Sequence, residues 1–198
     1  MGGVAVPAVI KYGFGFIAGA NKAAEEMGVK VDVKFNYTGS FEAKPEIQTM
    51  ASSWYKAGTE VIFSCGGGIA ASVLKAAQDN GTKMIGVDVD QKDMGEEVIT
   101  SAMKNLQKSV YDAVKSIAAN KFQGGQTLVL GVEEKGVQIS DDFSRFKQFT
   151  KEDYDKIYDM LVKNTDGITD SIPNDISDSN PTSFQNKMAN VKIDFIQQ

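Results

Sequence analysis

Four stretches of the sequence carry groups that are suited to binding a small polar molecule. They contain an aromatic residue, a run of glycines, two closely spaced carboxylates and a lysine: Phe41, Gly66, Gly67, Gly68, Asp88, Asp90 and Lys104. An aromatic ring stacks on a flat heterocycle, and a carboxylate accepts hydrogen bonds from two adjacent hydroxyl groups. Glycines leave backbone N–H groups open to a ligand. Together these groups suit a heterocycle joined to a polyol, such as a nucleoside.

Each of these residues also has an ordinary structural use. Phe41 could anchor a loop to the core, and the glycine run could form a tight turn between a strand and a helix. Asp88 and Asp90 could end a strand, cap a helix or hold a cation. Lys104 could be a solvated surface charge. No Gly-Lys-Ser/Thr follows the glycines, so a phosphate-binding loop is not predicted.

The composition excludes several classes of chemistry. The 198-residue chain contains no histidine, which removes the usual general base at neutral pH. Its single cysteine, Cys65, cannot form an intrachain disulfide or a thiolate zinc cluster. The net charge of −5 argues against a nucleic acid partner. We therefore predict no catalytic residue, no metal and no cofactor. No apolar run reaches the roughly 18 residues of a membrane helix, so the chain is expected to be soluble.

The elements that must position these residues alternate between helix and strand. Apolar residues spaced for one face of a helix predict helices over 7–27, 45–57 and 69–80. Short apolar runs predict strands over 31–37, 61–63, 84–88 and 98–103. This alternation predicts an α/β fold, with a parallel sheet covered by helices on both faces. Since ligands of such sheets bind outside the carboxyl ends of the strands, the candidate residues are expected along one edge.

The second half of the chain has a weaker pattern. Val110, Val114 and Ile117 predict a further helix, and the apolar run 128–132 predicts a strand after the turn at 124–125. Another helix is predicted through Tyr154 to Leu161, and a polar stretch follows from 164 to 183. The alternating segment 191–196 predicts a last strand that returns to a sheet. We place a domain boundary near residues 98–104.

Several segments in order resemble one known family. They are Val6-Pro7 before a helix rich in glycine and alanine, Tyr37-Thr38-Gly39-Ser40-Phe41, Gly66-Gly67-Gly68, Gly86-Val87-Asp88-Val89-Asp90-Gln91 and Thr100-Ser101-Ala102-Met103-Lys104. This combination resembles the basic membrane protein family, the PnrA-like nucleoside-binding lipoproteins of ABC transporters. The resemblance covers residues 2 to about 140, and the C-terminal part is only loosely similar.

The resemblance implies a periplasmic-binding-protein type I fold, in which two α/β lobes close on a nucleoside, with purine favoured, and deliver it to an ABC permease without catalysis. It implies that Phe41 stacks on the base and that Gly66 and Gly67 offer backbone contacts. Asp88 would hold the ribose hydroxyls, with Asp90 as the alternative carboxylate. Lys104 would complete the contacts to the sugar or the base.

The chain departs from the family pattern at its start. It resembles a member that begins where the first lobe crosses into the second. Residues 1–98 are then expected to form the second lobe. Residues 99–198 would be the return crossover, the remaining part of the first lobe and a C-terminal tail. The resemblance implies an extracytoplasmic, membrane-anchored lipoprotein as the full-length parent, with the lipid anchor absent from this soluble chain.

Two other functions fit the same residues. A sugar or a signalling molecule could replace the nucleoside, either in transport or in a sensor domain of the same fold. An enzyme that acts on nucleosides could instead use Asp88 or Asp90 as a base. Replacement of Phe41 distinguishes the first of these, because loss of a stacking ring weakens nucleoside binding more than binding of a small sugar.

Overall fold

The computed structural model describes residues 1–197, in which helices alternate with short strands over the first half of the chain. The helices are α1 (Pro7–Met27), α2 (Pro45–Lys56), α3 (Ile69–Asn80), α4 (Leu106–Ala118) and α5 (Lys151–Val162). The strands are β1 (Val31–Phe35), β2 (Val61–Phe63), β3 (Lys83–Asp88), β4 (Val98–Lys104), β5 (Val137–Ile139) and β6 (Val191–Phe195). Short 3₁₀ segments lie at Lys92–Met94, Thr165–Gly167 and Pro181–Lys187.

The helix boundaries follow from the residues that occupy them. Pro7 begins α1, where a missing backbone N–H leaves no hydrogen bond unmade, and Gly28 ends the helix with φ 66°. Thr150 and Asp153 form a capping box at the start of α5, each side chain accepting from the other residue's backbone N–H. The predicted helices are confirmed, with ends that differ by a few residues at most where bounds were predicted.

Residues 1–3 lie between β1 and β2 and connect the two groups of strands. Gly2 pairs in parallel with both Tyr37 and Cys65. Its N–H donates to the Asn36 carbonyl at 2.8 Å, and the Gly3 N–H donates to the Cys65 carbonyl at 2.9 Å. The order across the molecule is therefore β6, β1, residues 1–3, β2, β3, β4 and β5. All of these neighbours are parallel except β5, which is antiparallel to β4.

Helices cover both faces of these strands. On one face, α1 buries Phe14 and Ile17 in a core that also contains Phe184 and the inward residues of β1 and β6. On the other face, α2 and α3 bury Trp54 and Val73 against β2, β3 and β4. The α/β fold predicted from the alternation of apolar runs is confirmed, with a sheet that is mainly parallel.

The prediction of a strand over residues 128–132 is wrong. Leu128 and Val129 are exposed, and no strand is assigned between 120 and 136. The free edge of β4 pairs instead with β5, with Lys104 opposite Val137 and Ala102 opposite Ile139. An apolar run becomes a strand only where a neighbouring strand accepts its backbone hydrogen bonds, and the edge of β4 is already occupied.

The end of the chain returns to its beginning. β6 pairs with β1 along its whole length, from Val31 opposite Val191 to Phe35 opposite Phe195, so the predicted last strand is confirmed. Between β4 and β6, α4 and α5 contribute no buried residue. The division into lobes at residue 98 stays a prediction.

Candidate functional site

The predicted binding residues lie at one edge of the sheet. β1, residues 1–3, β2, β3 and β4 run in the same direction, so their carboxyl ends lie on one side. Phe41 follows β1, the glycines 66–68 follow β2, Asp88 ends β3 and Lys104 ends β4. We call this set, with the loops that carry it, the carboxyl edge. Open parallel sheets bind their ligands at this position.

The Phe41 loop rests directly on glycine backbone. A Cβ atom on Gly3 would lie 2.5 Å from a ring carbon of Phe41, and one on Gly68 would lie 2.8 Å from the Phe41 carbonyl oxygen. Gly67 has φ 57°, the left-handed conformation that side chains disfavour. The ring remains 43% exposed. Phe41 therefore packs closely on Gly3 and Gly68, while part of its ring stays exposed to solvent.

The glycine run also supplies unused hydrogen-bond donors. The carbonyl groups of Gly66 and Gly67 accept from Ile69 and Ala70 at the start of α3. Among residues 1–197, no hydrogen bond is found from the N–H groups of Gly66, Gly67 or Gly68. Backbone N–H groups at the start of a helix favour polar and anionic ligand atoms.

Asp88 and Lys104 form an ion pair across adjacent strands. The Lys104 Nζ lies 2.5 Å from the Asp88 Oδ1, and the two side chains are 37% and 44% exposed. Asp88 has φ 71°, and aspartate is among the few residues besides glycine that adopt this conformation. Because both side chains reach solvent, the carboxylate and the ammonium remain available to ligand hydroxyl groups.

Asp90 is used inside the fold rather than at this ion pair. Its Oδ2 accepts from the Ser140 hydroxyl at 2.7 Å, and its Oδ1 accepts from the Lys92 N–H at 3.1 Å. These bonds anchor the start of the 3₁₀ segment to the residues after β5. The structure thus brings Asp88 and Lys104 together and places Asp90 in a separate hydrogen-bond network.

Two further residues beneath the ion pair were not predicted as part of the site. The Lys104 Nζ lies 5.6 Å from the ring centroid of Tyr12, within cation–π range. Burial, reinforced by the charge of Asp88, raises the pKa of Tyr12 to about 12. Burial also raises the pKa of the Cys65 thiol to about 11. The spacing of Tyr12 from Val9 and Phe16, at i+3 and i+4, is the sequence signal that places it on the sheet-facing side of α1.

The Tyr12 hydroxyl is a polar atom beneath the carboxyl edge that lacks a partner. Within residues 1–197 it is buried and makes no hydrogen bond. Such a group is costly to leave unpaired, so it favours a polar ligand atom or water nearby. No set of three or more histidine, cysteine or acidic side chains is placed to hold a metal in the described part of the chain. No described helix is long and apolar enough to cross a membrane.

Comparison with known proteins gives a consistent assignment. The family model described as ABC transporter substrate-binding protein PnrA-like matches residues 1–177. An ABC transporter nucleoside-binding protein from Lactococcus lactis subsp. cremoris is 28% identical over 160 residues, which cover 72% of this chain and 44% of the relative. An uncharacterised lipoprotein from Pyrococcus abyssi is 27% identical over 159 residues, which cover 76% of this chain and 39% of the relative.

The fold has a counterpart among solved structures. An ABC transporter solute-binding protein from Aeropyrum pernix superposes with a TM-score of 0.65 at 19% identity, over 92% of this chain and 62% of that one. This likeness supports the predicted solute-binding-protein fold. The chain spans about half the length of the curated relatives it matches. The resemblance seen in the sequence is confirmed: the chain belongs to the family of PnrA-like ABC transporter substrate-binding proteins.

Proposed function

We propose that this chain supplies one side of a solute-binding site that captures a nucleoside for an ABC transporter. The observation that carries the proposal is the carboxyl edge, where an exposed aromatic ring, free glycine N–H groups and an exposed ion pair share one side of the sheet. The name of the Lactococcus relative, a nucleoside-binding protein, supports the same class of ligand.

Phe41 is the residue proposed to bind the base. Its ring is exposed, and the glycines beneath it leave the loop little freedom to move toward the core. A preorganised ring loses little entropy when a ligand binds, so more of the stacking energy appears as affinity. The flat faces of all nucleobases can stack in this way, so this contact alone does not separate purines from pyrimidines.

Asp88 and Lys104 are proposed to bind the sugar. The Asp88 carboxylate can accept from two neighbouring hydroxyl groups, and the Lys104 ammonium can donate to a hydroxyl or ring oxygen. The existing ion pair holds both side chains at the edge before the ligand arrives. Asp90 has partners of its own at Ser140 and Lys92, so we assign the sugar contact to Asp88.

The proposed mechanism is binding without chemistry. A ligand stabilises the closed form of a two-lobed protein by its greater affinity for that form, and a permease can then recognise the closed arrangement. We infer that this chain acts in such a protein outside the cytoplasmic membrane, as a lipoprotein, with an ABC permease as partner. The lipoprotein relative supports this location.

The test is a titration of the 198-residue chain with inosine and, separately, with ribose, followed by amide chemical shifts and by calorimetry. We expect inosine to shift the amide signals of Phe41, Gly67, Asp88 and Lys104, and ribose to bind more weakly. Stacking of one base contributes about 1–3 kcal/mol, so Phe41→Ala is expected to weaken inosine binding about tenfold or more. Phe122→Ala, which removes another exposed ring, is the matched control and should change nothing.

The sugar contact has its own variant. Asp88→Asn keeps the shape and the tolerance for a left-handed backbone but removes the charge, and is expected to weaken binding about tenfold or more. Asp93→Asn removes an exposed carboxylate outside the site and serves as the control. Equal affinity for ribose and inosine would support a sugar site instead, and conversion of inosine to free base would support an enzyme. Either result, or an absence of shifts at the carboxyl edge, overturns the proposal.

A further inference from the structure

The alternation of side chains along β3 and β4 assigns the two residues of the ion pair to opposite faces of the sheet. Successive residues of a strand point to alternate faces. In β3, Val87 packs with residues of α1, whereas Met84 belongs to the core beneath α2 and α3. A regular strand would therefore direct Asp88, like Met84, toward α2 and α3. In β4, Ala102 packs on the α1 face, so the same alternation directs Lys104 toward α1.

A turn at the end of β3 brings the two side chains to the same side. The Val89 N–H donates to the Val87 carbonyl at 2.9 Å, and Asp88 between them has φ 71°. This bond between residues two apart, with a positive φ at the centre, is that of a rare and strained γ-turn. The chain bends there, and the Asp88 carboxylate meets the Lys104 Nζ, which lies 5.6 Å from the ring of Tyr12 in α1. The ion pair therefore depends on the turn.

Gln91 holds this turn from within the same loop. Its side-chain Oε1 accepts from the Val87 N–H at 3.2 Å, and its own N–H donates to the Ser101 hydroxyl at 3.0 Å. Ser101 lies fully buried in β4, so it gives the loop a fixed attachment point. The glutamine thus binds the residue before Asp88 and fastens the loop to the neighbouring strand. A strained residue persists only where its surroundings fix its conformation.

Gly86 provides the space that the Gln91 side chain occupies. A Cβ atom at residue 86 would lie 2.5 Å from the Gln91 Oε1 and 2.6 Å from the Ser101 Oγ. The backbone of Gly86 does not have a positive φ, so a turn does not require glycine here. The missing side chain instead allows Gln91 to lie over β3 and reach the Val87 N–H.

We propose that Gln91 is a positioning residue of the binding site, which fixes the turn that directs the Asp88 carboxylate toward Lys104 and the ligand. Its effect on the ligand rests on the proposed function, in which Asp88 binds the hydroxyl groups of the sugar. Its effect on the turn requires no ligand. Gln91 itself needs no contact with the ligand, because its Oε1 already accepts from Val87.

The test compares two variants of nearly the same size. Gln91→Met removes the acceptor, and Gln91→Glu keeps one. A positive φ brings the amide and α hydrogens of one residue close together, so Asp88 should give a strong intraresidue nuclear Overhauser effect in the unaltered chain. We expect this signal to persist in Gln91→Glu and to weaken in Gln91→Met. Gln107→Met, at an exposed glutamine of α4, is the matched control and should leave the signal unchanged.

The second readout is the affinity for inosine and for dideoxyinosine, which lacks the two hydroxyl groups proposed to bind Asp88. Gln91→Met should weaken inosine binding about tenfold or more, because the carboxylate no longer meets the sugar, and should leave the affinity for dideoxyinosine unchanged. A general loss of structure at the carboxyl edge would weaken both ligands. Gly86→Ala, whose Cβ would displace the Gln91 side chain, should reproduce the selective loss.

The outcomes separate this role from the proposed function. An unchanged Overhauser effect at Asp88 in Gln91→Met, or its loss in Gln91→Glu, overturns the positioning role. Equal weakening of inosine and dideoxyinosine overturns the link between Gln91 and the sugar contact. If the unaltered chain binds no inosine, the proposed function is refuted instead, and the Overhauser effect still decides whether Gln91 fixes the turn.

Discussion

For the 198-residue chain with a free amino group at Met1, we expect the free energy of unfolding to increase between pH 6 and 8. The group is buried and donates to the Phe63 carbonyl at 2.9 Å. Burial disfavours its charged form and lowers its pKa from an ordinary value of 8.0 to about 6. The unfolded chain therefore binds this proton more tightly than the folded chain, so protonation favours unfolding.

The size of the effect follows from this difference in proton affinity. Each factor of ten corresponds to about 1.4 kcal/mol, so the whole transition amounts to about 3 kcal/mol in the free energy of unfolding. About 2 kcal/mol of this change falls between pH 6 and 8. The stabilisation is present above the unfolded pKa of about 8 and is lost as the pH falls through the folded pKa of about 6. The interval is well suited to the measurement because the chain has no histidine to titrate there.

The assay is urea unfolding at fixed ionic strength from pH 6 to 8.5, followed by the fluorescence of Trp54, which is buried. Intact mass must confirm that Met1 is retained. The matched control is the same chain with an acetylated amino terminus, which has no amine to titrate and should give a constant free energy of unfolding over this interval. A flat profile for the free amine, or the same slope in the acetylated chain, would refute the reasoning.

Three further outcomes are expected. Gly13→Ala should lower the free energy of unfolding, because the added Cβ would lie 2.7 Å from ring carbons of Phe35. Gly15→Ala, in the same helix but facing open space, should raise the free energy of unfolding by about 0.5–1 kcal/mol in urea unfolding. Native Cys65, with its thiol pKa raised to about 11 by burial, should react with a thiol reagent at pH 8 only as fast as the protein unfolds, and rapid native reaction would contradict this. Asp88→Gly should retain or increase thermal stability, because glycine adopts the left-handed conformation of residue 88 without strain. The same variant should abolish inosine binding. A large loss of thermal stability would contradict the argument from backbone strain.

The sequence by itself determined the elements of the first hundred residues. Pro7, Gly28 and Gly81 mark helix ends through their backbone preferences, and the apolar run at 61–63 is too short for a helix. Because parallel strands place their carboxyl ends together, the order of these elements also predicted that Phe41, the glycine run, Asp88 and Lys104 share an edge. Local signals were sufficient for all of this.

Only the tertiary structure decided which strands have neighbours and which polar groups have partners. The run at 128–132 has the apolar character of a strand, but β5 occupies the edge of β4, and no local pattern reports that competition. Asp88 and Asp90 are two residues apart and chemically alike, yet one pairs with Lys104 and the other with Ser140. Partners that lie 16 and 50 positions away along the chain settle that difference.

The same reason explains why Tyr12 lies beside the ion pair. Lys104 reaches the Tyr12 ring because α1 packs against Phe63 of β2 and Val87 of β3, and β4 lies beside β3. Hydrophobic periodicity specifies which face of an element is buried, but the neighbour across each edge depends on the packing of the whole chain.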